Sequence, residues 1–194
     1  TCGPVTCAGC CEGTVCQPGT TSAACGADGA PCGSCSVGFT CPSRSCVVDD
    51  GSEWDLVLER LEIPGTDYTG TDWDTLPGQG AADPAVRIVV GDAGAAATLT
   101  PWVTASPIGG GQYSVSYGRV VVARVPATDL RRYLWFRIEE DDAPSASEFI
   151  GACGYPTGIP PDAFRGAIQT LSCPRDAPTM NSGFVLTWRV APAP

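Results

Sequence analysis

Carboxylates form two clusters that could supply oxygen ligands to a cation. The first ends at Asp83, immediately before Pro84, and the second runs from Glu140 through Asp142 to Glu148. Both lie where alternating apolar patterns begin or end, so we expect them in loops at strand ends. Ca²⁺ takes about six to eight oxygen ligands, several of them carboxylates. The two clusters therefore predict a site for a hard divalent cation.

Catalysis finds little support in the residue types. The chain contains no histidine and no lysine, so it lacks the usual general base and any Ser-His or Cys-His dyad. A glycosidase pair would have to combine Glu139 or Glu140 with Asp83, but a bound cation drives off the proton that a general acid must hold. We expect a protein that is not an enzyme.

Twelve cysteines divide the chain, because ten of them lie between Cys2 and Cys46. That segment has too few large apolar residues for a core, and disulfides persist only in oxidising compartments. We expect an exported, extracellular or cell-surface protein in mature soluble form, with no secretory peptide or transmembrane segment. The predicted domains are a cysteine module over 1–48, a hinge over 49–52, a β-sandwich over 53–190 and a tail over 191–194.

The cysteine module contains an internal repeat, because a shift of 25 residues maps Cys7, Cys10 and Cys16 onto Cys32, Cys35 and Cys41. The halves 2–16 and 25–46 each hold five cysteines. Since five is odd, full pairing requires at least one disulfide between the halves. The pairing itself is not deducible, and a zinc site on the two Cys-x2-Cys motifs is the alternative.

The formal net charge of −10 makes nucleic acids and anionic membranes poor partners unless bound cations reverse the local field. We therefore predict no nucleic-acid binding. Almost all the excess negative charge belongs to the part of the chain after residue 48.

Period-two alternation recurs after the hinge and predicts two antiparallel sheets packed face to face. The apolar positions of the strands are Trp54, Leu56, Leu58, Val86, Ile88, Val90, Tyr113, Val115, Tyr117, Leu134, Phe136, Ile138, Phe184, Leu186 and Trp188. Helix is expected only in short turns near Asp129 and Asp162.

Several segments in this order resemble a C2 domain, the eight-stranded calcium-binding sandwich of protein kinase C and synaptotagmin. They are Trp54-Asp55-Leu56-Val57-Leu58, Asp83-Pro84-x-Val86, Trp135–Asp142 and Glu148-Phe149-Ile150-Gly151. The resemblance covers about residues 53–190. It implies a mainly β, C2-like antiparallel sandwich with Ca²⁺ as its cofactor.

The resemblance also implies a ligand set. The first loop would supply Asp74, or else Asp72, together with Asp83, and the later loop would supply Glu140, Asp142 and Glu148. The chain departs from the family in having Glu at 140 and 148, a longer first loop, Ala85 after Asp-Pro, and no basic strand for phosphoinositides.

Cys153 and Cys173 flank a Pro- and Gly-rich excursion, and we expect them to pair and brace it.

Two functions remain open. The first is a structural subunit of an extracellular fibre or layer, stabilised by disulfides and Ca²⁺ and formed by self-association or with other surface proteins. The alternative is a monomeric calcium-dependent adhesion or recognition module for a glycan, a protein or lipid, so that contact with a membrane surface stays open.

Overall fold

The computed structural model describes residues 1–71, 84–91, 98–99, 103–104, 112–140, 148–176 and 179–194. Residues 1–193 divide into two compact units, Thr1–Glu53 and Trp54–Ala193. Residues 49–52 form a turn, in which the Asp49 side chain accepts a hydrogen bond from the Gly51 amide at 3.0 Å. The division between the units falls one residue beyond this turn.

The first unit is built on two small hairpins. Strands β1 (Cys10–Glu12) and β2 (Val15–Gln17) form one, and β3 (Phe39–Thr40) and β4 (Val47–Val48) form the other. Five disulfides hold these short elements together: Cys2–Cys11, Cys7–Cys16, Cys10–Cys32, Cys25–Cys41 and Cys35–Cys46.

The five disulfides cross one another along the chain. Cys10–Cys32 also crosses Cys25–Cys41, and it links the two halves because Cys10 lies in 2–16 and Cys32 in 25–46, as the odd cysteine count requires. The 25-residue repeat is not carried into the pairing, because Cys7 pairs with Cys16 whereas the equivalent Cys32 pairs across the halves. All four cysteines of the zinc alternative are in disulfides and offer no thiolate to a metal.

Cystine forms the interior of the first unit. Its buried apolar side chains are Cys7, Cys10, Cys25, Cys41 and Val48. Val5 and Val37 are 98% and 73% exposed. Cross-linking therefore replaces hydrophobic burial as the main source of order in this segment, as the composition predicts.

The second unit contains two antiparallel sheets. The five-stranded sheet consists of β6 (Pro84–Val90), β7 (Thr98–Leu99), β8 (Val103–Thr104), β10 (Leu134–Glu140) and β11 (Glu148–Tyr155). Its order is β11-β10-β6, after which both β7 and β8 pair with β6.

The four-stranded sheet has the order β12-β13-β5-β9. Its strands are β5 (Glu53–Pro64), β9 (Gln112–Pro126), β12 (Gln169–Cys173) and β13 (Phe184–Pro192). The helix α1 (Ala127–Leu130) and a 3₁₀ helix (Pro161–Arg165) occupy the two predicted turns. The predicted fold class, mainly β with antiparallel sheets after a disulfide-rich N-terminal module, is confirmed. Nine strands of this unit fall within the described residues, with β7 and β8 on either side of residues 100–102, which lie outside them.

Alternating side chains of both sheets form the core of the second unit. Leu134, Phe136 and Ile138 on β10 are fully buried, as are Leu186 and Trp188 on β13. The ring of Phe136 lies 6.0 Å from that of Trp188, centroid to centroid, which brings the inner faces of the two sheets into contact. Aromatic contacts of this kind stabilise by about 0.5–1.5 kcal/mol beyond the area they bury.

A β-bulge extends the buried face of β5. In its pairing with β13, Leu58 lies opposite Trp188 and Arg60 opposite Thr187, so Glu59 is the extra residue. The alternation therefore shifts by one, and Leu61 joins Leu58 in the core.

The Cys153–Cys173 disulfide joins the two sheets of this unit. Cys153 lies on β11 and Cys173 on β12, and these are edge strands of different sheets. The link closes one side of the sandwich covalently.

In the parts of the chain that the structure describes, none of the helices has the length and apolar character needed to cross a bilayer.

Removing the inter-sheet disulfide in the double variant Cys153→Ser/Cys173→Ser is expected to lower the free energy of unfolding by about 3 kcal/mol, because the cross-link closes a loop of 20 residues in the unfolded chain. Urea unfolding followed by tryptophan fluorescence measures the change. Ala152→Ser, a neighbouring substitution on β11, is the control. An unchanged midpoint in the double variant would contradict a stabilising role for the link.

Candidate metal centre

The register of β10 brings two predicted ligand positions side by side. Glu140 lies directly opposite Glu148 on β11 and opposite Pro84 on β6. The last residue of β10 and the first residues of both neighbouring strands therefore meet at one end of the five-stranded sheet. We refer to this end of the sandwich as the acidic pole.

A β-bulge lies next to the acidic pole. Ile138 pairs with Gly151 and Glu139 with Phe149, which leaves Ile150 as the extra residue on β11. The Ile150 side chain is buried, and its carbonyl oxygen accepts a hydrogen bond from the Ser182 amide at 2.8 Å. The bulge thus shifts the facing of Phe149 relative to the rest of β11.

Asp67 organises the loop that follows β5. Its Oδ1 accepts hydrogen bonds from the Thr69 amide at 2.8 Å, the Thr69 hydroxyl at 2.7 Å and the Thr71 amide at 2.8 Å. The slight burial of this carboxyl raises its pKa, but the hydrogen bonds from Thr69, Thr71 and Gly70 together lower the pKa below the ordinary value of 3.8. The loop is therefore an Asx turn closed around an ionised carboxylate.

A second loop, described over residues 174–176 and 179–183, is bound to the first. Arg175 donates from Nε to the Tyr68 carbonyl oxygen at 3.0 Å and from Nη2 to the carbonyl oxygen of Asp67. Asp176 and Asn181 form an isolated antiparallel bridge that closes the second loop. Asp67 and Arg175 thus fix the two loops to each other through backbone acceptors.

Asn181 anchors the second loop to β11. This buried side chain accepts a hydrogen bond from the Gly183 amide at 2.9 Å and donates to the Ala152 carbonyl oxygen at 3.4 Å. A Cβ at residue 151 would collide with its Oδ1, so the close approach requires Gly151. The loop therefore lies against the bulged part of β11, at the acidic pole.

The ends of β5, β12 and β13 enclose a cleft of about 220 Å³. Its lining residues include Glu62, Ser172, Cys173 of the inter-sheet disulfide, and Phe184. Glu62 is held by Arg60 in an ion pair of 2.8 Å at the strand surface. The cleft is small and open to solvent at the strand ends.

The structure bears on only part of the predicted ligand set. Asp72, Asp74, Asp83 and Asp142 lie outside the described residues. The backbone pairing brings Glu140 and Glu148 together and places residue 84, the neighbour of Asp83, beside Glu140. The coordination predicted from the sequence stays a prediction.

Three residues that shape the acidic pole were missed from the sequence. Asp67 had a recognisable signal, since Asp followed by Thr at the second and fourth positions around a glycine is typical of an Asx turn. Arg175 and Asn181 had none, because each acts on backbone groups of a segment distant in sequence.

Comparison with known proteins adds little. No family model matches the sequence, and no curated protein matches it either. Among solved structures, the chain is similar to the C2A domain of plant extended synaptotagmin 1, with 13% identity, a TM-score of 0.38, and coverage of 75% of this chain and 97% of that chain. The likeness is weak, and the architecture described above follows from the strands themselves.

The Asx turn is expected to open in acid. Because the pKa of Asp67 is lowered in the folded protein, its contribution is present above the ordinary value of 3.8 and is lost as the pH falls through the lowered value. NMR titration of the Thr69 and Thr71 amide protons should report this transition, and Asp67→Asn should abolish it. If the Thr69 and Thr71 amide shifts titrate with the ordinary pKa of an aspartate, Asp67 is not held ionised by this turn, and the prediction fails.

Proposed function

We propose that the chain is a non-enzymatic extracellular protein that binds Ca²⁺ and serves as a structural subunit of a cell-surface or extracellular assembly. The second unit acts as a C2-like sandwich whose acidic pole holds the ion. The first unit acts as a cross-linked, protease-resistant body.

The register at the end of β10 is the observation that carries the calcium proposal. Glutamates at directly opposed positions of an antiparallel pair destabilise it, because like charges then lie on neighbouring strands. Glu140 and Glu148 hold such positions, and the strand that begins beside Glu140 follows Asp83. A divalent cation between them converts this repulsion into coordination.

The donor chemistry also fits a hard cation. Every residue of the predicted set is a carboxylate, namely Asp72, Asp74, Asp83, Glu140, Asp142 and Glu148. Oxygen donors of this kind suit Ca²⁺ or Mg²⁺ rather than zinc or copper. Extracellular modules bind Ca²⁺ with Kd values of about 10⁻⁴–10⁻³ M, which suffice outside the cell.

The cysteine chemistry supports an extracellular location and argues against catalysis. All twelve cysteines are paired, so no thiol is left as a nucleophile or metal ligand. Disulfides at this density persist in oxidising compartments. The absence of histidine from the sequence removes the commonest general base as well.

A structural role accounts for the durability of both units. The first unit is held by crossing disulfides, and the second has its sheets joined covalently at one edge. A head-to-tail contact between such bodies that does not close into a ring gives a filament. Calcium at the acidic pole would then order the loops that meet the neighbouring subunit.

Calcium is expected to raise the melting temperature of the protein. At a concentration roughly tenfold above Kd, binding to the folded state contributes about 1.4 kcal/mol, which corresponds to several degrees. Differential scanning calorimetry with millimolar CaCl₂ and with EDTA measures the shift. Identical melting curves would remove the calcium proposal.

Matched variants locate the effect. Glu140→Gln/Glu148→Gln should abolish most of the calcium-dependent shift, because it removes the two opposed carboxylates. Asp162→Asn is the control, since this exposed carboxylate lies in the 3₁₀ helix that follows the far end of β11. A shift that survives in the glutamate variant would place the ion elsewhere.

Calcium is also expected to drive self-association. Size-exclusion chromatography and negative-stain microscopy should show ordered polymers or layers with CaCl₂ and their loss with EDTA. A protein that stays monomeric in both conditions would rule out the subunit role and leave the monomeric recognition module.

A further inference from the structure

The outer face of the five-stranded sheet presents chemistry that the acidic pole does not use. Tyr133 immediately precedes β10, and Trp135, Arg137 and Glu139 alternate along the strand with the buried core residues. They therefore share the face directed away from the core. We refer to these four residues as the outer row.

The aromatic half of the outer row is a stacked pair. The Tyr133 and Trp135 rings lie within 10° of parallel, with centroids 5.8 Å apart, and both side chains are partly exposed. Burial raises the pKa of the Tyr133 phenol above its ordinary value, and the protonated hydroxyl can donate or accept a hydrogen bond. The pair offers flat apolar surface together with a hydrogen-bonding group.

The neighbouring strand leaves the indole open on one side. Trp135 pairs with Gly154 on β11, where a Cβ would collide with the Leu134 carbonyl oxygen. No side chain on β11 therefore flanks the indole at this position. Two residues further along, on the same face, the small Ala152 lies opposite Arg137.

The polar half of the outer row is a fixed guanidinium. Arg137 lies over the Phe149 ring, with Cζ 5.2 Å from the centroid, and its Nε donates to Glu139 Oε1. The Arg137 side chain is 50% exposed, and no described residue takes its two terminal amino groups. They are pre-oriented donors beside the aromatic pair.

Charge indicates what kind of molecule fits. Arg137 and Glu139 neutralise each other, while Arg87 lies opposite Arg137 and has interactions of its own. The chain carries a formal net charge of −10, which repels polyanions and anionic lipid surfaces at long range. The ligand that fits is therefore an uncharged molecule with a flat apolar face for the aromatic pair and several hydroxyls for Arg137. A pyranose sugar has these properties.

We propose that the outer row binds a neutral glycan, with pyranose rings stacked on Tyr133 and Trp135 and hydroxyls hydrogen-bonded to Arg137. This site needs no cation and lies on the sheet face, separate from the ligand positions at the acidic pole. It gives the protein a carbohydrate contact that goes beyond its proposed role as a subunit.

Isothermal titration calorimetry of the full chain in EDTA tests the proposal with maltohexaose, cellohexaose and hexa-N-acetylchitohexaose. At least one should bind with a Kd of about 1 mM or tighter. Trp135→Ala should weaken that binding by about tenfold or more, and Arg137→Lys, which keeps the charge but loses the planar fork, by a smaller factor. Tyr68→Ala, which removes a partly exposed ring elsewhere in the unit, should bind as the parent does.

Two outcomes would overturn the proposal: no binding of any of the three sugars, or binding that is unchanged in both outer-row variants. Melting curves check that each variant is folded. If Trp135→Ala does not fold, the binding measured with Arg137→Lys decides the question. Because these titrations contain EDTA, their failure leaves the calcium proposal standing, and failure of the calcium melts leaves this one standing.

Discussion

The register of β10 is the constraint on which most of the second unit depends. This strand pairs with β6 on one side and β11 on the other, so its alternation decides which residues enter the core and which face solvent. Phe136, one of its inward residues, contacts Trp188 of the opposite sheet. Its last residue, Glu140, pairs with Glu148. A slip by one residue would exchange the core with the outer row and separate the acidic positions.

The strands could be predicted from sequence because their apolar residues alternate where one face is buried. Trp54, Leu56 and Leu58 follow that rule and lie in the core. The continuation of β5 could not be predicted, since the bulge at Glu59 exchanges the faces and is fixed by pairing with β13. The Glu59 side chain accepts a hydrogen bond from Arg189 at 2.7 Å, a contact between residues far apart in sequence.

Predictability was lower for the cross-links and for the candidate site. Counting cysteines required one disulfide between the halves of the first unit, and Cys10–Cys32 supplies it, but the remaining pairs depend on chain path. At the acidic pole, the sequence predicted that Glu140 and Glu148 lie in a loop at strand ends, but their direct pairing across β10 and β11 was known only from the register of the strands. The bracing by Arg175 and Asn181 acts through backbone acceptors, which leave no trace in residue spacing.

The cystine interior of the first unit gives it an unusual response to temperature. Val48 is its only buried apolar side chain other than cysteine, so unfolding exposes little apolar surface to water. The heat capacity of unfolding scales with that surface, and a small value makes the stability curve nearly straight. The sandwich of the second unit has a large aliphatic and aromatic interior, so its stability curve is strongly curved. Cooling therefore weakens the hydrophobic contribution in the second unit while leaving the first almost unaffected.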